Sequence, residues 1–328
     1  MDDAALRSWI ESKLLPSLSL TGRRFTVELP ESGTASTVRR LHIEEAASLI
    51  LRAHDHRLGG LRTAAALRHL ESLGLPGPRL VLADCALTAR LMPGAFAGLP
   101  CFTVETLIEG RRHAELADAA AAKAALKVAS LLARFHRVTR PAWGWPDRER
   151  RISWAAETLR AASRMSGELA ARGWLTESQR SGLGAVLASW RDPLEQLRPF
   201  HMVHNDANRH NAMVTGAGEV VLIDLHRLSY EPFPEEVVNA LYHFCRKDDA
   251  LAQEFLAAYL ERIDEAARTT WDHTRGFFTA LNYLKRLHRR AHQAQLQPPG
   301  LQSDDAKMAR WRDIMIESAV APRPGSRA

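Results

Sequence analysis

The stretch HMVHNDANRHNAMVTGAGEVVLIDLHRL, residues 201–228, gathers the side chains best suited to chemistry. His204, Asp206, Asn208, His210 and Asn211 share one polar loop, and Asp224 follows Val220-Val221-Leu222-Ile223. That continuously apolar run reads as a buried strand presenting Asp224 at its C-terminal end. A carboxylate in such a place is costly unless a cation or a donor meets it. Two chemistries compete. In the first, Asn211 and Asp224 are hard oxygen ligands for Mg2+, and Asp206, five residues before Asn211, orients a hydroxyl and accepts its proton. In the second, His201, His204, Asp206 and His210 form a hydrolase-type site for zinc or iron. A bland alternative leaves His201 and His210 as hydrogen-bonded residues around a polar loop. The spacing favours phosphoryl transfer. His-x-Asp-x-x-x-x-Asn followed by Ile-Asp leaves no residue over, whereas the hydrolase run His-x-His-x-Asp-His is absent.

These groups need elements to hold them. Leu6, Trp9, Ile10 and Leu14 follow helical spacing behind Asp2 or Asp3 as cap. Alternation over 24–29, 36–43 and 48–53, with Pro30-Glu31-Ser32-Gly33 as turn chemistry, predicts three strands. A helix over 61–73, closed by Gly74, and strands at 79–83 and 101–106 complete a β-rich first part. Beyond Gly110 the chain turns Ala-rich and helical, with helices over 113–137, 153–172 and 176–197. The β segment 202–225 is embedded there, and everything after Pro234 reads as helix down to a Pro-, Gly- and Arg-rich tail.

Composition bounds the function classes. The chain has 328 residues, 46% hydrophobic and 25% charged, which excludes wholesale disorder and a membrane bundle. Its net charge is +6, but acids and bases are interspersed, which argues for a solvated surface more than for a nucleic-acid arm. The excess favours an anionic partner such as a nucleotide, and charge alone does not choose between nucleotide, phosphorylated sugar, membrane surface and RNA. Three scattered cysteines cannot make a disulfide framework or a CxxC metal knuckle, and a reducing compartment is the simplest reading. No signal peptide or uncharged apolar span is visible, so no integral membrane association and a cytoplasmic location are expected. GxSxG and GxxxxGK motifs are absent.

From about residue 21 to about 290 the chain resembles the aminoglycoside phosphotransferase and choline-kinase-like family. The resemblance rests on Thr103-Val104-Glu105-Thr106-Leu107-Ile108-Glu109-Gly110 as a hinge, Leu131-Leu132-Ala133-Arg134-Phe135-His136, Trp143-Gly144, His204-Asn205-Asp206 and Ile223-Asp224. It implies an α+β, two-lobed protein-kinase-like fold with a small antiparallel β lobe and a larger, mainly helical lobe. Residues 1–20 would be an N-terminal helix, 21–104 the ATP-binding lobe, 105–110 the hinge, and 111–318 the helical lobe with an insertion at 138–200; 319–328 would be a mobile tail. The implied activity is ATP- and Mg2+-dependent transfer of the γ-phosphate to a hydroxylated small molecule that is aminoglycoside-, amino-alcohol- or sugar-like. Asp206 would be the catalytic base, Asn211 and Asp224 the metal ligands, and His204 a brace, with Asn208 and His210 beside the site. The backbone of Thr106 and Ile108 would meet adenine, and Ser32-Gly33-Thr34 would cover the phosphates.

Arg52 stands where the family carries a phosphate-binding Lys, and Thr63 lies near the position of its helical Glu partner. Asn205 replaces a common Gly. These departures keep open a catalytically degenerate nucleotide-binding protein, beside the metal-dependent hydrolase. The run from His204 to Asn211 with Ile223-Asp224-Leu225-His226-Arg227 is also similar to lipopolysaccharide-core sugar kinases, so a lipid-linked sugar is an alternative acceptor. The basic stretch 282–292 could line an anionic site, but Leu281, Tyr283, Leu284 and Leu287 give it an ordinary buried stripe. Trp143 and Trp145 among Arg148, Arg150 and Arg151 read as packing rather than base stacking, and Trp154 and Trp174 read as core. Asn239, Tyr242, His243 and Cys245 suit an acceptor cleft or a helix core equally.

Overall fold

The computed structural model describes residues 4–28, 38–54, 57–84, 101–245, 248–295 and 305–320. In chain order, α1 (Ala4–Trp9), a π-helical turn (Ile10–Leu14) and α2 (Leu15–Ser17) run on continuously. Then come β1 (Phe25–Glu28), β2 (Val38–Ile43), β3 (Leu49–His54), α3 (Arg57–Ser72), β4 (Leu80–Asp84) and β5 (Cys101–Thr106). β6 (Arg111–Arg112), α4 (Asp118–His136), β7 (Thr139–Arg140), β8 (Gly144–Trp145) and β9 (Arg148–Glu149) follow, then α5 (Trp154–Ala171), α6 (Glu177–Ser189) and α7 (Arg191–Glu195). The last part holds β10 (Phe200–Val203), β11 (Ala212–Val214), β12 (Val220–Leu222), β13 (Ser229–Glu231), α8 (Pro234–Cys245), α9 (Asp249–Leu260), α10 (Glu265–Gln295) and α11 (Asp305–Val320). The fold is α+β, a strand-rich first part followed by a mainly helical one.

Two compact units result. The first comprises residues 1–117, 145–147 and 209–228, the second 118–144, 148–208 and 229–328. In the first, an antiparallel sheet runs β1-β2-β3-β5-β4. Side-chain alternation on β2 and β3 puts Leu41, Ile43, Leu49, Leu51 and Ala53 on one face, with Phe102 and Val104 of β5 beside them. Leu6, Ile10, Leu14 and Leu15 of the N-terminal helical segment cover that face. Each large side chain buried this way contributes about 1.5–3 kcal/mol. The β11–β12 hairpin joins the same unit by pairing β11 with β6. Gly110 permits this: its φ is +153°, and a Cβ there would lie 2.2 Å from the Val214 carbonyl oxygen. Cys101 is disulfide-bonded, which the cysteine spacing did not suggest, and Cys245 is a free, buried thiol.

In the second unit, α4 buries Val128, Leu131, Leu132, Phe135 and His136 along one face. α5 starts where the Ser153 side chain accepts from the Ala156 amide (3.1 Å), and α6 at a capping box of Thr176 and Gln179. The sequence reading of the aromatics holds for Trp154, which is buried, while Trp174 is only half-buried. Trp143 donates to the Ile152 carbonyl (2.6 Å) beneath the Arg150 guanidinium, so this aromatic–basic pair is internal packing. The basic stretch of α10 buries Leu281, Leu284 and Leu287 as an amphipathic helix should. Among the described residues, no helix is long and apolar enough to cross a membrane.

Candidate active site

In the first unit two candidate residues come together at one end of the β11–β12 hairpin. Ala212 pairs with Leu222, and the Ile223 amide donates to the Asn211 carbonyl (2.8 Å), so Asn211 and Asp224 emerge at the same end. Asp224 has φ +66° and ψ +63°, a left-handed conformation that Asp and Asn tolerate better than other residues with a Cβ. Strain of this kind concentrates where geometry serves function. The Asp224 carboxylate receives His226 Nδ1 at 2.8 Å and lies 3.6 Å from Arg52 Nη1. Arg52 Nη2 in turn donates to Glu105 Oε1 at 3.4 Å. Burial holds the Glu105 carboxyl above its ordinary range, although the Arg52 charge opposes that shift.

In the second unit a buried carboxylate organises the loop after β10. Glu236 of α8 accepts the amides of His204 (3.0 Å) and Asn205 (2.6 Å) and faces His136 Nε2 at 2.9 Å. Burial alone would raise its pKa, but His136 and the His204 amide outweigh that and hold it below the ordinary carboxylate range. Burial also keeps the Tyr259 hydroxyl protonated, so it can donate to His136 Nδ1 (2.7 Å) and leave Nε2 to donate to Glu236. Asn205 has φ +62°, a conformation suited to Gly or Asn, which accounts for the residue found there. Its side chain donates to Ser229 Oγ (2.5 Å) and Glu231 Oε1 (2.9 Å). The fully buried His204 accepts the Asp206 amide on Nδ1 (3.2 Å), and Asn208 Nδ2 donates to the Asp206 carboxylate (3.1 Å).

His201 gives this unit a pH dependence. Burial pushes its pKa down to about 4, the Nδ1 bond to the His136 carbonyl (2.6 Å) only partly offsetting the loss of solvent. An unfolded His201 takes up a proton near pH 6.5, one the folded residue refuses until about pH 4. Protons therefore favour the unfolded chain across that window, and stability falls as pH drops through it, by about 3 kcal/mol in all. Thermal unfolding from pH 7 to 4 should show this fall, and His201→Gln should flatten it. An unchanged slope in the variant removes His201 as the titrating group.

The other sequence-derived positions divide. Ser32, Gly33 and Thr34 lie outside the described residues, as does the tail beyond 320. The Thr106 amide donates to the Arg79 carbonyl (3.0 Å), so it is not open to a base edge; Ile108 follows in irregular chain. His210 is exposed. Thr63 donates to the Gly59 carbonyl (3.0 Å) within α3 and makes no ion pair there. Asn239 reaches the Ala207 carbonyl (3.5 Å) and Arg286 Nη2 (2.7 Å), while Arg286 stacks on Tyr242; Cys245 is core. Glu105 and Glu236 were missed from sequence. Their one signal was an acid inside an apolar strand and, beside Glu235, an acid at the start of an apolar helix face.

Asn211 and Asp224 form a hard-oxygen donor set that suits Mg2+. Arg52 Nε is buried with no partner among the described residues, an unsatisfied donor in keeping with an anionic ligand. Among those residues no group of three or more His, Cys, Asp or Glu is placed to hold a metal, so the zinc or iron reading gains no support.

Comparison with known proteins agrees with these features. No curated protein matches the chain in sequence. Among solved structures it is similar to the amicoumacin kinase hAmiN, at 16% identity and TM-score 0.62 over 95% of each chain. It is also similar to a thermostable mutant of the aminoglycoside phosphotransferase APH(4)-Ia (15%, TM-score 0.61, 95% of this chain and 100% of that one). The choline kinase LicA from Streptococcus pneumoniae matches at 15% identity and TM-score 0.57 over 96% and 98%. The profile of the phosphotransferase enzyme family (APH) matches residues 26–277. With that match over most of its length, the chain belongs to the phosphotransferase enzyme family and is a small-molecule phosphotransferase acting on hydroxyl groups.

Proposed function

We propose that the protein transfers the γ-phosphate of ATP to a hydroxyl of an aminoglycoside-, amino-alcohol- or sugar-like molecule, with Mg2+ as the metal. The observation that carries this reading is the placement of Asn211 and Asp224 at one hairpin end, fixed by the Ile223–Asn211 hydrogen bond. Bound there by Asn211 and Asp224, Mg2+ would neutralise charge on the phosphate oxygens. Arg52 supplies a permanent positive charge toward the phosphates. Thr106 and Ile108 offer backbone groups to the base, for Thr106 its carbonyl. Asp206, held by Asn208 and by the His204 contact to its amide, accepts the proton of the acceptor hydroxyl. The acceptor oxygen then forms its bond to the γ-phosphorus, the bond from that phosphorus to the β–γ bridging oxygen breaks, and ADP leaves. Related structures bear on the donor and the acceptor class: hAmiN was solved with AMP-PNP, Ca2+ and Ami, and an APH(4)-Ia mutant with AMP-PNP and hygromycin B. ATP as donor fits a cytoplasmic enzyme.

A γ-32P transfer screen over aminoglycosides, amino alcohols, sugars and lipopolysaccharide-core fragments tests this reading. A labelled small-molecule product is expected. Labelling confined to the core fragments would move the acceptor to lipid-linked sugars. ATP binding with no product from any acceptor would favour the degenerate reading, to which the absence of the family's Lys points. Turnover without ATP would favour a hydrolase.

A further inference from the structure

The register of the first unit's sheet places an acid where Arg52 can use it. β3 and β5 are antiparallel, with Arg52 opposite Thr103 and Ile50 opposite Glu105. Arg52 and Glu105 are therefore diagonal neighbours on one face, a spacing long side chains bridge. It is the face opposite the one built from Leu49, Leu51, Phe102 and Val104. A slip of one residue would send the two to opposite faces. The observed contact is 3.4 Å, with side-chain exposures of 18% for Arg52 and 6% for Glu105.

No acid on α3 competes for this role. The buried positions of that helix are Gly60, Thr63, Ala64, Ala66, Leu67 and Leu70, and Glu71 is exposed. A guanidinium has four rotatable bonds to fix before it can meet phosphate oxygens in a set geometry. A carboxylate in a dry site fixes it far better than one in water, because the surrounding dielectric is low. Asp224, 3.6 Å away, constrains the other terminal nitrogen.

Resting on the nucleotide reading above, we infer that Glu105 is the positioning residue for Arg52, so that the ion pair orienting the phosphate-binding cation runs between two neighbouring strands. Glu105 acts on ATP only through Arg52. Its loss then weakens ligands that carry phosphates and spares those that do not.

The test is equilibrium binding of ATP, ADP and adenosine to the full chain by calorimetry, for wild type, Glu105→Gln, Arg52→Met and the double variant. Glu105→Gln should weaken ATP and ADP about 10-fold and adenosine less than about 2-fold. In the Arg52→Met background, where no cation is left to orient, the same change should cost much less than it does alone, since contacting residues couple. Equal weakening of adenosine and ATP, or strictly additive losses, overturns the inference and makes Glu105 a structural residue. Should Glu105→Gln fail to fold, Glu105→Asp keeps the charge, and its shorter reach should give a smaller loss with the same phosphate selectivity. A wild-type chain that binds none of the three ligands overturns the nucleotide reading itself, a result distinct from the loss of selectivity.

Discussion

Asp206→Ala should lower kcat about 10³-fold or more while leaving the affinity for ATP within about 2-fold of wild type. The split follows from the work assigned to this carboxylate. In the proposed reading it meets the acceptor hydroxyl and gives up its charge only as it accepts the proton, so the resting nucleotide complex does not depend on it. Steady-state kinetics paired with direct nucleotide binding makes the measurement. Asp206→Asn sharpens it, because the amide can keep the Asn208 contact, 3.1 Å in the native loop, yet cannot take the proton. If either variant retains turnover near wild type, Asp206 is not the base. A matching loss of ATP affinity would instead assign it to nucleotide or metal binding.

Asp224→Asn should weaken Mg·ATP on the order of 10²-fold and reduce kcat as well, since a metal ligand acts in both ground and transition state. Asn is the informative substitution. It tolerates the left-handed backbone at φ +66° and can still meet His226, so it removes charge without removing geometry. Asp224→Ala adds a backbone cost of about 1–2 kcal/mol and confuses folding with binding. Titrating Mg2+ at fixed nucleotide separates the effects, because excess metal should partly restore binding to Asp224→Asn. Affinity that is unchanged and independent of Mg2+ would take Asp224 out of the metal site. Asp224 also faces Arg52 at 3.6 Å, so its neutralisation frees part of that cation, and metal-free nucleotide should lose less than Mg·ATP.

How much of this was legible follows from how local each feature is. The alternation of the first strands and the 3.6-residue spacing of Leu6, Ile10 and Leu14 are properties of short windows, and each appears as an element burying the expected face. Asn211 and Asp224 could be singled out together because one short hairpin carries the spacing between them, and the Ile223 amide closes on the Asn211 carbonyl. Asn205 was visible only as a departure, and its left-handed φ supplies the reason. Trp174 was read as core on hydrophobicity alone, yet it sits at a helix–helix turn and is half-buried. The partners of the key groups could not be read at all. Glu105 lies 53 residues from Arg52, and Glu236 lies 31 from Asn205. Nothing in a window of ordinary length links either pair.

The sequence by itself determined the candidate groups, their order along the loop and the periodicities of the elements around them, because those depend on neighbours a few bonds away. Only the tertiary structure decided which acids answer the buried cation and the loop amides, and that the β11–β12 hairpin joins the first unit through β6. Strand register and helix packing make those choices. Both are settled by burying distant apolar faces together, and the polar pairings follow from whichever register the core selects.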